Sequence, residues 1–205
     1  MRRAAAALVA IVCWAGLAIQ FSASYANLHD VGATLWVLAR FFTIITNLLI
    51  AVVMTREAVG RPVSPQILGG LTLAILLVGV VYATLLQGLY HLTGAALLAD
   101  ILLHKVSPVL AALWWLLFAP KARLKRTAPL WWSAYPLAYF AYALVRGLYD
   151  GRYPYPFMDV GQLGWLHTAL NAGGMALAFI LAGCALVCLD GWLGSRRSGR
   201  QARRA

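Results

Sequence analysis

Six apolar runs, each long enough to cross a lipid bilayer, occupy most of this chain. The hydrocarbon core of a bilayer is spanned by about 20 helical residues. With 62% hydrophobic and 11% charged residues, the chain is too apolar for a water-soluble domain of this size. The first run exceeds the hydrophobic region of a signal peptide, so we interpret it as a helix. The sequence therefore predicts an all-α integral membrane protein with six transmembrane helices, at about 4–26, 33–55, 66–90, 95–118, 130–149 and 163–189.

The distribution of lysine and arginine predicts the orientation of these helices. Short cytoplasmic segments of membrane proteins carry an excess of basic residues. Of 17 basic residues, 13 precede the first helix, follow the last, or fall in the second and fourth connections, whereas the other three connections contain only Arg152. We predict that both termini are cytoplasmic, that residues 1–194 form a single domain, and that residues 195–205 form a basic, disordered tail. Topology accounts for the net charge of +11, so we expect no nucleic-acid partner.

An acid and an imidazole lie inside the fourth predicted helix. Asp100 and His104 are four residues apart and therefore share a helical face, which Ser107 continues. A charge in hydrocarbon costs at least ~2.5 kcal/mol, so such residues normally face a bundle interior or a cavity. This pair predicts a functional site within the membrane.

Other intramembrane polar residues occur at similar depths. At 1.5 Å per residue, Thr43, His104 and Asn171 are expected ~12 to 15 Å below the outer boundary. Convergence at one depth favours a pocket that opens to the outer leaflet. The remaining candidates on the second, fifth and sixth helices are Arg40, Thr46, Asn47, Arg146 and His167.

Three short motifs, taken in order, resemble a known family. They are Thr43-Ile-Ile-Thr46-Asn47, Asp100-xxx-His104-xxx-Pro108, and the proline- and tyrosine-rich segment 153–157. This set resembles the bacterial Pr-six-Pr membrane proteins, which are similar to the androgen-induced and androgen-dependent TFPI-regulating proteins of animals. The animal proteins are six-helix hydrolases of fatty acid esters of hydroxy fatty acids. The resemblance implies a lipid ester hydrolase in a bacterial inner membrane, with membrane lipids as its surroundings and a lipid ester as its substrate.

The resemblance also implies roles for individual residues. It implies an intramembrane threonine nucleophile and His104 as the general base. In the animal proteins the threonine precedes an Asn or Asp by three residues, whereas Thr43 precedes Asn47 by four and Thr46 by one. We prefer Thr43, which shares a face with Arg40 and Asn47, and keep Thr46 as the alternative. Asp100 is expected to orient the imidazole, and Arg40, Asn47 or Asn171 to stabilise the oxyanion.

Two other functions are compatible with these residues. In one, the protein binds lipid or assists assembly without catalysis, and the polar cluster only fixes helix packing. In the other, His104 and His167 ligate a single b-type haem. The three cysteines, Cys13, Cys184 and Cys188, lie in apolar runs without metal-ligand spacing, so the leading hypothesis includes neither a metal nor a cofactor. The sequence makes no prediction of oligomeric state.

Overall fold

The computed structural model describes residues 1–89 and 91–202, with residues 197–202 described by backbone alone, and these residues form helices and no strand. In chain order the α-helices are α1 Arg2–Leu28, α2 Val31–Leu38, α3 Phe42–Ala58, α4 Pro65–Val81, α5 Gly94–Ile101, α6 Ser107–Phe118, α7 Ala128–Asp150 and α8 Val160–Ala202. A π-helical segment, Tyr82–Leu86, continues α4, and a second one, Leu102–Val106, joins α5 to α6. A short 3₁₀ turn, Pro156–Met158, lies within the proline-rich segment.

Four of the described helices are long and apolar enough to cross a membrane, or five if the bent pair α2 and α3 forms one span. The four are Arg2–Leu28, Pro65–Leu86, Gly94–Phe118 and Val160–Arg196. Helix α7 has 23 residues but is rich in tryptophan and tyrosine, and it is not among them. The described part of the chain thus has four to five candidate spans by length and composition, whereas the sequence predicts six.

The chain divides into two compact units. The first contains Met1–Ser64 and Ala74–Ala119, and the second contains Pro65–Leu73 and the chain from Pro120 onward. In the first unit α1 packs closely on the helix that contains His104. A methyl group added at Gly16 would lie 2.7 Å from the side chain of Leu103, so a larger residue at position 16 would require that side chain to move.

The predicted continuous helix at 33–55 is wrong, because the chain leaves helical geometry between Leu38 and Phe42. Helices α2 and α3 are bent by 97° at this break. The N–H groups of Arg40 and Phe41 donate to carbonyls three residues back, at 3.2 and 3.1 Å, and Phe41 is extended. Arg40 therefore precedes α3 and does not share a helical face with Thr43 and Asn47.

The π-helical segment around His104 is associated with Pro108. The N–H of Ser107 donates to the carbonyl of Leu102, five residues back. In the next position Pro108 has no N–H to offer the carbonyl of Leu103. One carbonyl in the middle of this helix therefore needs a donor from elsewhere in the protein.

The last helix differs from the sequence prediction at both ends. Its backbone is non-helical at Gly164, where φ is +73°, a value that favours glycine. Helix α8 continues to Ala202, through residues for which the sequence predicts a disordered tail. The rest of that predicted tail, residues 203–205, lies outside the described residues.

Candidate active site

A threonine and a histidine from different helices meet inside the first unit. Thr43 Oγ1 lies 3.1 Å from Nε2 of His104. Thr43 is the second residue of α3, directly after the break, and His104 is in the middle of the π-helical segment. Thr43 is 6% exposed, whereas the side chain of His104 is 19% exposed. The pair is therefore largely shielded, with the imidazole as its more accessible member.

Asp100 contacts the other nitrogen of the His104 ring. Its Oδ1 lies 3.0 Å from Nδ1, and its backbone carbonyl lies 3.2 Å from the same atom. A carbonyl oxygen can only accept a hydrogen bond, so Nδ1 carries a proton. In the neutral ring Nε2 is then an acceptor, and the Thr43 hydroxyl donates to it. Asp100, His104 and Thr43 therefore lie in the order that the acid, base and nucleophile have in a catalytic triad.

Tyr82 is part of this cluster and is not among the site residues predicted from the sequence. Its hydroxyl donates to Asp100 Oδ2 at 2.5 Å, and its ring stacks on the His104 ring with centroids 4.4 Å apart. Lys105 Nζ lies 5.6 Å from the centre of the same tyrosine ring. The third predicted span places Tyr82 eight residues from its outer end, about 12 Å deep, close to the predicted depth of His104. This depth is the sequence signal that marks Tyr82 as a candidate.

Asn47 makes its hydrogen bonds with backbone carbonyls and with the hydroxyl of Ser107. Its amide nitrogen donates to the carbonyls of Thr43 and Leu103, at 2.9 and 3.1 Å. Its amide oxygen accepts from the Ser107 hydroxyl at 2.6 Å, and that hydroxyl also lies 3.1 Å from the Leu103 carbonyl. Asn47 is fully buried, and these bonds occupy its amide. They also supply a hydrogen-bond donor to the Leu103 carbonyl, which receives none from Pro108. Asn47 is therefore a poor candidate for the oxyanion donor.

Thr46 and Arg40 are buried in the same unit. Thr46 is 0% exposed, and the hydrogen bond to His104 Nε2 comes from Thr43. The geometry therefore favours Thr43 over Thr46 as the nucleophile. Arg40 is 6% exposed and lies in the break, three residues before Thr43.

The other three predicted site residues belong to the second unit. Arg146 is buried and donates to the Tyr142 hydroxyl at 2.8 Å. His167 is exposed, with Nδ1 3.1 Å from the carbonyl of Leu163. Asn171 donates to the carbonyl of Phe157 at 2.9 Å and so ties α8 to the 3₁₀ turn. This bond gives Asn171 a structural role within its own unit.

The donor atoms at His104 do not fit a haem ligand. Both ring nitrogens already contact protein groups, Nε2 with Thr43 and Nδ1 with Asp100. Axial ligation to iron would require one of these contacts to break. Across residues 1–89 and 91–202 there is also no group of three or more His, Cys, Asp or Glu side chains that could hold a metal ion.

No protein-family model matches the chain, and neither a curated protein nor a solved structure matches it.

Proposed function

We propose that the chain is a multi-pass membrane hydrolase that cleaves lipid esters with Thr43 as the nucleophile and His104 as the general base. The observation that carries the proposal is the 3.1 Å contact between Thr43 Oγ1 and His104 Nε2, with Asp100 on the opposite ring nitrogen. A threonine hydroxyl attacks efficiently only when a base removes its proton, and a neutral imidazole is suited to that step. The three residues supply the groups for acyl transfer.

We further propose six membrane spans, with both termini cytoplasmic, in a bacterial inner membrane. Helix α7 has 23 residues, or about 35 Å of helix, which exceeds the ~30 Å of the hydrocarbon core. With α7 and the bent pair α2 and α3 counted as spans, the number becomes six. The excess of basic residues then falls on one side, as expected for cytoplasmic segments. We also propose that the chain belongs to the Pr-six-Pr family, because its motifs resemble those of that family and the proposed topology has six spans.

The reaction proceeds in two transfers. His104 Nε2 takes the proton from Thr43 Oγ1 as that oxygen attacks the ester carbonyl carbon, while Asp100 stabilises the imidazolium. The intermediate collapses, the carbon–oxygen bond to the alcohol breaks, and Nε2 returns the proton to the leaving oxygen. Water, activated by the same nitrogen, then attacks the acyl-threonine and releases the fatty acid and the free hydroxyl.

The oxyanion formed during this reaction needs a donor, and Arg40 is the best candidate. Arg40 is a buried cation three residues before Thr43 in the chain. A fixed positive charge in a water-poor site stabilises a developing negative charge strongly.

Lys105 favours a substrate that carries a negative charge. It is exposed within the candidate span Gly94–Phe118 and adjoins His104 in the chain. Its contact in the first unit is with the ring of Tyr82, not with a carboxylate. A fatty acid ester of a hydroxy fatty acid has a free carboxylate that can pair with this ammonium.

The test is hydrolysis of a long-chain ester by the purified protein in detergent. We expect His104→Ala and Thr43→Ala to lose turnover by roughly 10³-fold or more while keeping the thermal stability of the wild type, and Thr46→Ala to retain activity. Absence of turnover in the wild type, on p-nitrophenyl palmitate and on a fatty acid ester of a hydroxy fatty acid, would contradict the proposal. A Soret band in the same sample would favour the haem hypothesis instead.

A non-catalytic role in lipid binding or assembly is the second candidate. The buried contacts of Asn47 with Leu103 and Ser107 favour it, because they fix the packing of α3 against its neighbour. Under this alternative, substitution of Thr43 or His104 lowers stability and there is no turnover to lose.

A further inference from the structure

We propose that Tyr82 is a positioning residue that holds the Asp100 carboxylate and the His104 ring in the geometry required for proton transfer. The proposal rests on the hydrolase function proposed above. It assigns Tyr82 two separable contributions, one from the hydroxyl and one from the ring.

The hydroxyl fixes the carboxylate. Tyr82 donates to Asp100 Oδ2 at 2.5 Å, while Asp100 Oδ1 faces His104 Nδ1 at 3.0 Å. Each carboxylate oxygen therefore has its own partner, and rotation of the carboxylate would break both contacts. A carboxylate held in this way keeps the proton on Nδ1 and leaves Nε2 free to accept from Thr43.

The ring fixes the imidazole. The two ring planes are inclined by only 21°, with centroids 4.4 Å apart. A stacked aromatic face restricts rotation of the imidazole and attracts the positive charge that the imidazole acquires during attack. His104 is thus held by Asp100 at one edge, by Thr43 at the other and by Tyr82 on a face.

Both residues of this stack lie in π-helical segments. Tyr82 is the first residue of Tyr82–Leu86, and His104 is the third residue of Leu102–Val106. Such segments are rare and frequently occur at functional sites, because they change the direction of side chains relative to an α-helix. Because both residues of this stack lie in π-helical segments, we infer that the geometry of the stack serves a function and is not incidental packing.

The experiment compares Tyr82→Phe and Tyr82→Leu with the wild type. Phenylalanine keeps the ring and removes the hydroxyl, whereas leucine removes both. We expect Tyr82→Phe to lower kcat about tenfold with KM within about twofold, and Tyr82→Leu to lower kcat about a hundredfold, because the lost interactions act in the transition state. A packing role alone predicts that Tyr82→Phe has the activity of the wild type.

Tyr25→Phe is the matched control. Tyr25 is also in the first unit and lies edge-on to a histidine, His29, with centroids 6.4 Å apart. Its other ring contact is a stack on Phe21, away from Thr43 and His104. We expect this variant to have the kinetics of the wild type, and thermal stability is recorded for every protein.

A second measurement does not depend on turnover. The chain has four histidines, so [¹⁵N]histidine-labelled protein gives few ring signals, and His104→Ala assigns those of His104. We expect a protonated Nδ1 and an unprotonated Nε2 in the wild type, and averaging of the two shifts in Tyr82→Phe as the tautomers exchange. The proposal is overturned if Tyr82→Phe keeps either the kcat or the ¹⁵N shifts of the wild type. If the wild type hydrolyses none of the esters, the hydrolase function fails, and the ¹⁵N shifts alone decide whether Tyr82 holds the imidazole.

Discussion

The side-chain amide of Asn47 donates a hydrogen bond to the backbone carbonyl of Leu103 at 3.1 Å, across 56 residues of sequence. This carbonyl lacks a backbone donor because position 108 is a proline. The bond joins α3, which carries Thr43, to the segment that carries His104. The alignment of the proposed nucleophile and base therefore depends on a polar contact that takes no part in the chemistry.

Replacement of Asn47 by leucine is expected to destabilise the protein by about 1–3 kcal/mol, because the Leu103 carbonyl loses a donor and the Ser107 hydroxyl loses an acceptor. Thermal unfolding in detergent measures the effect. Asn27→Leu is the control, since Asn27 bonds a helix carbonyl at an exposed position. Equal unfolding temperatures for the two variants would contradict the role assigned to Asn47.

Replacement of Pro108 by alanine is expected to restore an N–H and to favour a regular α-helix over residues 102–108. Loss of the π-helical segment would rotate His104 relative to Ser107 and separate Nε2 from Thr43. We expect ester hydrolysis to fall by at least about tenfold while the protein remains folded. A fully active Pro108→Ala variant would show that the π-helical geometry does not depend on the missing donor.

Replacement of Arg40 by glutamine is expected to lower kcat by roughly 10²-fold, the usual effect of removing an oxyanion donor. Arg40→Lys should recover part of the activity, because it keeps a cation in the break between α2 and α3. The control is Arg61→Gln, which removes a charge outside the candidate site. If Arg40→Gln lowers only the unfolding temperature, Arg40 has a structural role.

Replacement of Lys105 by glutamine is expected to change selectivity more than overall activity. The kcat/KM for a fatty acid ester of a hydroxy fatty acid should fall about tenfold, equivalent to ~1.4 kcal/mol, because the substrate carboxylate loses its cation. The methyl ester of the same compound carries no charge, so its kcat/KM should stay within about twofold of the wild-type value. Parallel losses on both substrates would contradict charge recognition by Lys105.

The contact between Asp100 and His104 could be predicted from the sequence, because helical spacing places residues four apart on one face. That contact is present in the structure. The break before Thr43 could not be predicted. The residues Ala39, Arg40 and Phe41 include neither glycine nor proline, and the apolar run continues through them. Residue type at these positions therefore gives no signal for the break.

Tyr82 was missed for a different reason. A single tyrosine in an apolar run is typical of an interfacial anchor, so residue type gives no signal and only the depth of Tyr82 indicates the site. Its contacts with Asp100 and His104 depend on the pairing of α4 with α5 and on two π-helical segments. The contact between Asn47 and the Leu103 carbonyl could not be predicted either, because the residue type at position 103 does not show that its carbonyl lacks a donor.

The most direct test of the account is detection of the acyl-enzyme. The wild-type protein is mixed with p-nitrophenyl palmitate, quenched with acid within the first turnovers, digested, and mapped by mass spectrometry, with His104→Ala and Thr43→Ala treated in parallel. We expect one palmitoyl group on Thr43 in the wild type and none at that position in either variant. Acylation of Thr46, or hydrolysis without acylation of any threonine, would contradict the assignment of Thr43 as the nucleophile.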